Sequence, residues 1–163
     1  MRNCLTLLIL VVPLLASCVT GPGYDSAQFS PEVTPAEVAK NYDAWEGSRV
    51  LWGGLIVGTS NEETGTVLQL LAYPLLSNQR PDTEAVAQGR FLIVDEQFLE
   101  PVDYSEGRMI TVTGQISELR TGQVGSADYE FPVVKPVQMH LWSRDSERNK
   151  PVIHFGIGVG VGF

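Results

Sequence analysis

The chain has 163 residues, 44% of them hydrophobic, with 19 acidic against 11 basic side chains and a formal net charge of −8. That length suits one domain with a core and not comfortably two, and an acidic balance without a basic cluster speaks against a nucleic-acid partner. Both cysteines, Cys4 and Cys18, lie at the start of the chain, so the folded part has no disulfide to rely on and must be held by packing.

Residues Met1 to Cys18, MRNCLTLLILVVPLLASC, have the three-part layout of an export signal: Arg2 as a basic start, an apolar run from Leu5 to Leu15, and the small pair Ala16-Ser17 before Cys18. An apolar run this short falls below the roughly 20 residues of a membrane-spanning helix. Leu15-Ala16-Ser17-Cys18 resembles a bacterial lipobox, which implies a diacylglycerol thioether on the Cys18 sulfur, cleavage before Cys18 and acylation of the freed amine. The residue types fit, since a thiolate is the nucleophile for alkylation and small side chains must enter a peptidase cleft. The plainer alternative is an ordinary signal followed by an incidental thiol. One acyl chain gives only marginal attachment, whereas two or more hold stably, so a triacylated Cys18 makes the membrane the first expected partner. Residue 19 is Val19, not the aspartate of inner-membrane retention, and the resemblance therefore implies the periplasmic side of the outer membrane.

Residues 1–17 are thus expected to be a cleaved signal peptide, and 18–33 the lipidated cysteine with a flexible Gly-, Pro- and Ser-rich tether. Thr34-Pro35-Ala36-Glu37 predicts a capping-box helix start with proline at its first position, running to about Lys40 or Asp43. From Arg49 the pattern changes to strands. Val50, Leu51, Trp52, Leu55, Ile56 and Val57 read as a strand covered on both faces, with Gly53-Gly54 as a bulge or tight bend. Thr66 to Tyr73 and Gly89 to Val94 follow as strands, separated by Pro74 and a polar loop. Met109 to Ile116 alternates, Ile110, Val112, Gly114 and Ile116 facing one way and Thr111, Thr113 and Gln115 the other, as in a half-buried strand. After a turn over Gly122 to Asp128, Tyr129–Val134 and Val137–Trp142 read as two extended segments, with Pro132 and Pro136 marking an edge or bulge.

Five to six strands, one short N-terminal helix and no α/β alternation predict a mainly β fold, a small OB-like antiparallel β-barrel over residues 34–154. A Gly-rich tail, 155–163, follows it. The tail alternates glycine with Ile157, Val159, Val161 and Phe163; it reads as a flexible or edge-pairing strand, with contact to lipid or to an outer-membrane barrel as the sharper alternative.

Gly89-Arg90-Phe91-Leu92, Phe98-Leu99-Glu100-Pro101-Val102-Asp103-Tyr104, Thr111-Val112-Thr113-Gly114-Gln115-Ile116, Tyr129-Glu130-Phe131-Pro132 and Leu141-Trp142, with Trp52-Gly53-Gly54 and Ala72-Tyr73-Pro74-Leu75, resemble the Slp family of outer-membrane lipoproteins. The resemblance implies a lipid-anchored envelope protein linked with starvation or stress; it carries no catalytic residues. The tail departs from the longer aromatic and glycine-rich ends of that family.

Catalysis has little to build on. Only His140 and His154 are available to a nucleophilic site or a metal, and Glu62-Glu63, Asp95-Glu96 and Asp103 read as solvated loop acids. No phosphate-binding or cofactor motif is present. Trp52, Tyr73, Tyr104, Phe131 and Trp142 are the candidate binding face, because small OB-type barrels bind oligosaccharides on stacking aromatics; the competing account is that they fill the barrel interior. Three functions remain in view: a structural or interaction protein of the envelope without turnover; a binding module for a cell-wall or surface glycan or partner protein; and, in last place, a hydrolase, which would need convergent carboxylates or a histidine in a deep pocket.

Overall fold

The computed structural model describes residues 21–29 and 33–144. Within them lie a short helix α1 (Pro35–Lys40) and five strands, β1 (Arg49–Glu62), β2 (Gly65–Tyr73), β3 (Arg90–Asp95), β4 (Met109–Val124) and β5 (Ala127–Leu141). Among the described residues no helix is long and apolar enough to cross a membrane.

The strands close into a barrel in the order β1-β2-β3-β5-β4, the connectivity of an OB-fold. Four seams are antiparallel, as expected, but β3 and β5 run parallel where Leu92 and Ile93 meet Val133 and Val134. The reason is parity: strand direction cannot alternate all the way round a closed ring with an odd number of members. A parallel contact at this seam also needs no tight turn, since β4 intervenes in sequence.

Inward-facing side chains obey the two-residue period. Val50, Trp52 and Ile56 from β1, Leu68, Leu70 and Ala72 from β2, Phe91 and Ile93 from β3, Ile110, Val112 and Ile116 from β4, and Val134 from β5 form one buried cluster. Complete burial of such a side chain contributes about 1.5–3 kcal/mol relative to leaving it exposed. Trp52 meets Phe91 edge to face at 5.1 Å between ring centroids.

The helix plugs the barrel. Both capping-box bonds form, Thr34 N donating to Glu37 Oε2 at 2.8 Å and Glu37 N to Thr34 Oγ1 at 3.3 Å. Six residues are too few for a helix to persist alone, so α1 is held by what it buries: Val38 joins the interior cluster and Ala36 N donates to the Gln88 carbonyl.

Four further features differ from the sequence expectation. Gly53-Gly54 is not the bulge of β1; the register slips between Ile56 and Gly58. The two glycines instead permit close approach, because a Cβ on Gly54 would overlap the Leu71 carbonyl and one on Gly53 would press on Leu75 and Pro81. The outer face of β4 is solvated at Gln115 but not at Thr111 and Thr113, which are buried; over Thr111 lie the Gln79 backbone and the Trp142 ring. Thr111 Oγ1 donates to the Gln79 carbonyl at 2.7 Å and accepts from Trp142 Nε1 at 2.9 Å. The two segments read at 129–134 and 137–142 are one strand, in which Thr113 pairs with Gln138 and Gly114 with Pro136, leaving Val137 as the bulged residue beside the proline. Finally, β4 and β5 continue as a hairpin past the barrel to a turn at Gly125-Ser126. Phe131 and Val133 on that hairpin build a second small core with Leu92 on the outer side of β3.

Residues 21–29, part of the stretch read as a tether, lie against the 74–82 segment. Tyr24 N donates to Gln79 Oε1 and Gln79 Nε2 returns a bond to the Tyr24 carbonyl. The segment read as a signal peptide, Cys18 and the Gly-rich tail lie outside the described residues.

Candidate functional site

A cleft of about 460 Å³ opens at the β1–β2 seam, where Gly53 pairs with Tyr73. Strand residues Leu51, Trp52, Gly53, Ala72 and Tyr73 form its floor, and Pro74, Leu75 and Gln88 one wall. Ser26, Phe29 and Val33, from the segment preceding α1, supply the other wall. Phe29 is held there partly by Arg49, whose guanidinium carbon stands 5.7 Å from its ring centroid. At such an exposed site a cation–π contact is worth about 0.5–1 kcal/mol. The lining is mostly aliphatic and aromatic, with Ser26, Gln88, Tyr73 and the Val33-bonded indole of Trp52 carrying its polar side-chain groups and no charged residue. Such a cleft suits an uncharged ligand with an apolar surface.

The five aromatic residues singled out from the sequence do not share one face. Trp52 is only 6% exposed and belongs to the barrel core; its Nε1 donates to the Val33 carbonyl at 2.7 Å, which ties the chain two residues before α1 to the barrel wall. Tyr73 lies half-buried on the outer surface, and together with Trp52 it borders the cleft. Tyr104 packs against the interior cluster from the loop between β3 and β4. Burial, followed by the nearby charges of Asp95 and Asp103, raises its hydroxyl above the ordinary tyrosine range. Phe131 is in the second core beside Tyr129, with ring centroids 4.7 Å apart. Trp142 is buried under the Gln79 segment, where His140 meets it edge to face at 4.5 Å.

The remaining candidates are dispersed. His140 is on the outer surface of β5 opposite Thr111, and His154 lies outside the described residues. Glu96 pairs with Lys135 at 2.6 Å on the surface; this bond lowers the carboxyl and raises the amine from their ordinary values. Asp95 accepts from Gln97 N in a local turn, and Glu62 and Glu63 are exposed at the β1–β2 turn. Among the described residues no group of three or more His, Cys, Asp or Glu side chains is placed to hold a metal.

Phe29, Leu51, Leu75 and Gln88 were not singled out in the sequence. They are far apart along the chain, and the one local sign was the glycine pair in β1, where the missing Cβ of Gly53 leaves room for the Leu75 side chain.

The profile of the outer membrane lipoprotein Slp family matches residues 15–157. Outer membrane protein Slp of Escherichia coli (strain K12) is 30% identical over 131 residues, which cover 79% of this chain and 69% of that protein. The uncharacterized lipoprotein YeaY of the same organism is 28% identical over 130 residues, covering 79% of this chain and 67% of that protein. An uncharacterized protein of Haemophilus influenzae is 29% identical over 143 residues, covering 84% and 75%. Among solved structures, the mitochondrial single-stranded DNA binding protein Rim1 of S. cerevisiae aligns over 59% of this chain and 95% of its own at 11% identity, with a TM-score of 0.36; a likeness at that level has no bearing on what this chain binds. With the family profile spanning the lipobox-like segment and the entire barrel, the chain belongs to the outer membrane lipoprotein Slp family.

Proposed function

We propose that the protein is a triacylated lipoprotein, anchored through Cys18 to the periplasmic leaflet of the outer membrane, and that it serves as a non-catalytic component of envelope maintenance, with a stress-related role as the resemblance implies. The observation that carries this reading is the family match beginning at residue 15, within Leu15-Ala16-Ser17-Cys18. A thiol placed after two small residues and an apolar run has the chemistry for thioether formation and signal cleavage, and more than one acyl chain makes attachment stable. Burial of Trp52, Phe131 and Trp142 supports a structural role for these aromatics. The test is Cys18→Ser in cells fed radiolabelled palmitate. The expected result is loss of label with accumulation of uncut precursor; undiminished labelling of the variant would refute the anchor.

A second reading, a binding module for an uncharged glycan or a partner segment, is favoured by the cleft bordered by Trp52 and Tyr73. Tyr73→Ala removes part of its lining without touching the interior cluster. Saturation-transfer NMR with cell-wall glycan fragments should show contact in the parent chain and lose it in the variant, and absence of transfer in both would remove this reading.

A further inference from the structure

We propose that the barrel flank carrying the 74–88 loop is a bilayer-contact surface, with Leu76 and Val86 seated in the headgroup region of the membrane. This rests on the lipidation of Cys18 argued above, and adds to it an orientation of the folded domain.

The first ground is where the anchored chain meets the barrel. Gly21 lies so close to Asn78 that a Cβ there would overlap the Asn78 carbonyl, and three positions later Tyr24 exchanges two backbone bonds, of 2.9 and 2.6 Å, with the Gln79 side chain. Cys18 precedes Gly21 by three residues, a reach of at most about 10 Å when fully extended. A domain of about 100 residues has a radius of gyration near 13 Å, so this reach is too short to let acyl chains on Cys18 enter a bilayer on the far side. The loop that receives the chain is therefore the part of the barrel brought to the membrane.

The second ground is what that loop displays. Leu76 is 45% and Val86 87% exposed, although the loop is folded on itself by the Leu75–Pro81 bridge and the Asp82 N to Pro74 carbonyl bond, and joined to the barrel by Thr111 Oγ1 to the Gln79 carbonyl and Gln88 N to the Ala72 carbonyl. Its charged side chains, Arg80, Asp82 and Glu84, do not make a basic patch. Attraction to anionic lipid is thus not the driving term, and burial of aliphatic surface is. Phe98, 67% exposed, offers a contrast. Its neighbour Leu99 bonds Thr66 at the opposite end of β2, separated from Tyr73 by about 23 Å at roughly 3.3 Å per residue.

The experiment uses the full lipidated chain reconstituted in phosphatidylethanolamine-rich vesicles. Single cysteines introduced as Leu76→Cys, Val86→Cys or Phe98→Cys carry an environment-sensitive fluorophore, and all three sites are exposed enough to leave folding intact. Labels at 76 and 86 should be blue-shifted and quenched severalfold more by headgroup-attached quenchers than the label at 98, with no loss on raising salt. Equal, water-like emission at 86 and 98 on vesicle-bound protein would overturn the proposal while leaving the anchor intact. A label at 86 shielded from water yet not reached by lipid quenchers would also overturn it, in favour of a protein partner. Protein that fails to float with the vesicles would instead overturn the lipidation of Cys18, and this orientation with it.

Discussion

Gln79 Nε2 donates to the Tyr24 carbonyl at 2.6 Å while Gln79 Oε1 accepts from the Tyr24 amide at 2.9 Å, a reciprocal pair across 55 positions of sequence. Gln79 does this from a left-handed backbone, φ 68°, and among the described residues no other non-glycine has positive φ. Such a conformation costs about 1–3 kcal/mol and persists where the surroundings over-determine it. Here they do: its carbonyl also receives the Thr111 hydroxyl, which in turn receives Trp142 Nε1. One residue thus links the segment nearest Cys18, the outer wall of β4 and the end of β5.

Gln79→Ala should release Tyr24 while retaining the backbone strain, and Gln79→Gly should release Tyr24 while relieving that strain. Two lost bonds at about 0.5–1.5 kcal/mol each predict a lower urea midpoint for both, with alanine below glycine. Hydrogen exchange at the Tyr24 amide is the direct measurement. Protection at Tyr24 unchanged in Gln79→Ala would mean that the 21–29 segment is held by other contacts.

Gly54 and Gly58 stand on the same strand and should respond oppositely to a methyl group. A Cβ at Gly54 would overlap the Leu71 carbonyl, a backbone atom that cannot swing aside, whereas at Gly58 its nearest neighbours are Gln69 side-chain atoms at 3.7 Å, ordinary contact. Gly54→Ala is expected to abolish cooperative folding or to cost several times the 1–3 kcal/mol typical of overpacking. Gly58→Ala should change stability by less than about 0.5 kcal/mol. Thermal melts of the two variants followed by near-UV circular dichroism decide the matter; equal melting would mean the β1–β2 crossing is less close than described.

How far these features were legible in the sequence depends on the range of the interaction. The capping box at Thr34 and Glu37 and the inward set Ile110, Val112 and Ile116 are local signals, and both appear in the structure as read. The burial of Thr111 was not legible, because the groups that cover it come from Gln79 and Trp142, distant in sequence. Nor was the length of β4 and β5, whose outer arm is polar and shows too weak an alternation past Ile116 to mark a strand. For the site, a lipobox-like cysteine is readable because its chemistry depends on adjacent residues. The cleft is not, since Phe29, Leu51 and Tyr73 meet only once the barrel has closed.

Trp52 offers a way to separate the shape of the core from its one polar contact. Trp52→Phe keeps an aromatic ring facing Phe91 but removes the donor to Val33, leaving a buried carbonyl unpaired. That desolvated acceptor costs about 1–3 kcal/mol, added to the loss of ring volume. Trp52→Ala should cost about 3–5 kcal/mol, as for other large-to-small core changes. Urea titration of both variants measures the difference, and a phenylalanine variant as stable as the parent would show that water reaches the Val33 carbonyl.

The helix start should carry a pH signature of defined sign. The Glu37 carboxylate accepts from Thr34 N and Thr34 Oγ1, both at 2.8 Å, and these bonds, the backbone one foremost, hold its pKa below the ordinary glutamate value. A folded-state value below the unfolded one means the contribution is complete above the unfolded pKa and disappears as pH falls through the folded one. Glu37→Gln mimics the uncharged side chain at every pH. The parent should therefore melt higher than Glu37→Gln at neutral pH, and the gap should close as the solution is acidified below the ordinary glutamate range. The group is fully exposed, so the gap will be modest and is best read by comparing melting temperatures of parent and variant pairwise at each pH. A gap that stays constant through acidification would mean that the carboxylate contributes nothing through its charge, and that the cap rests on the Thr34 hydroxyl and the proline alone.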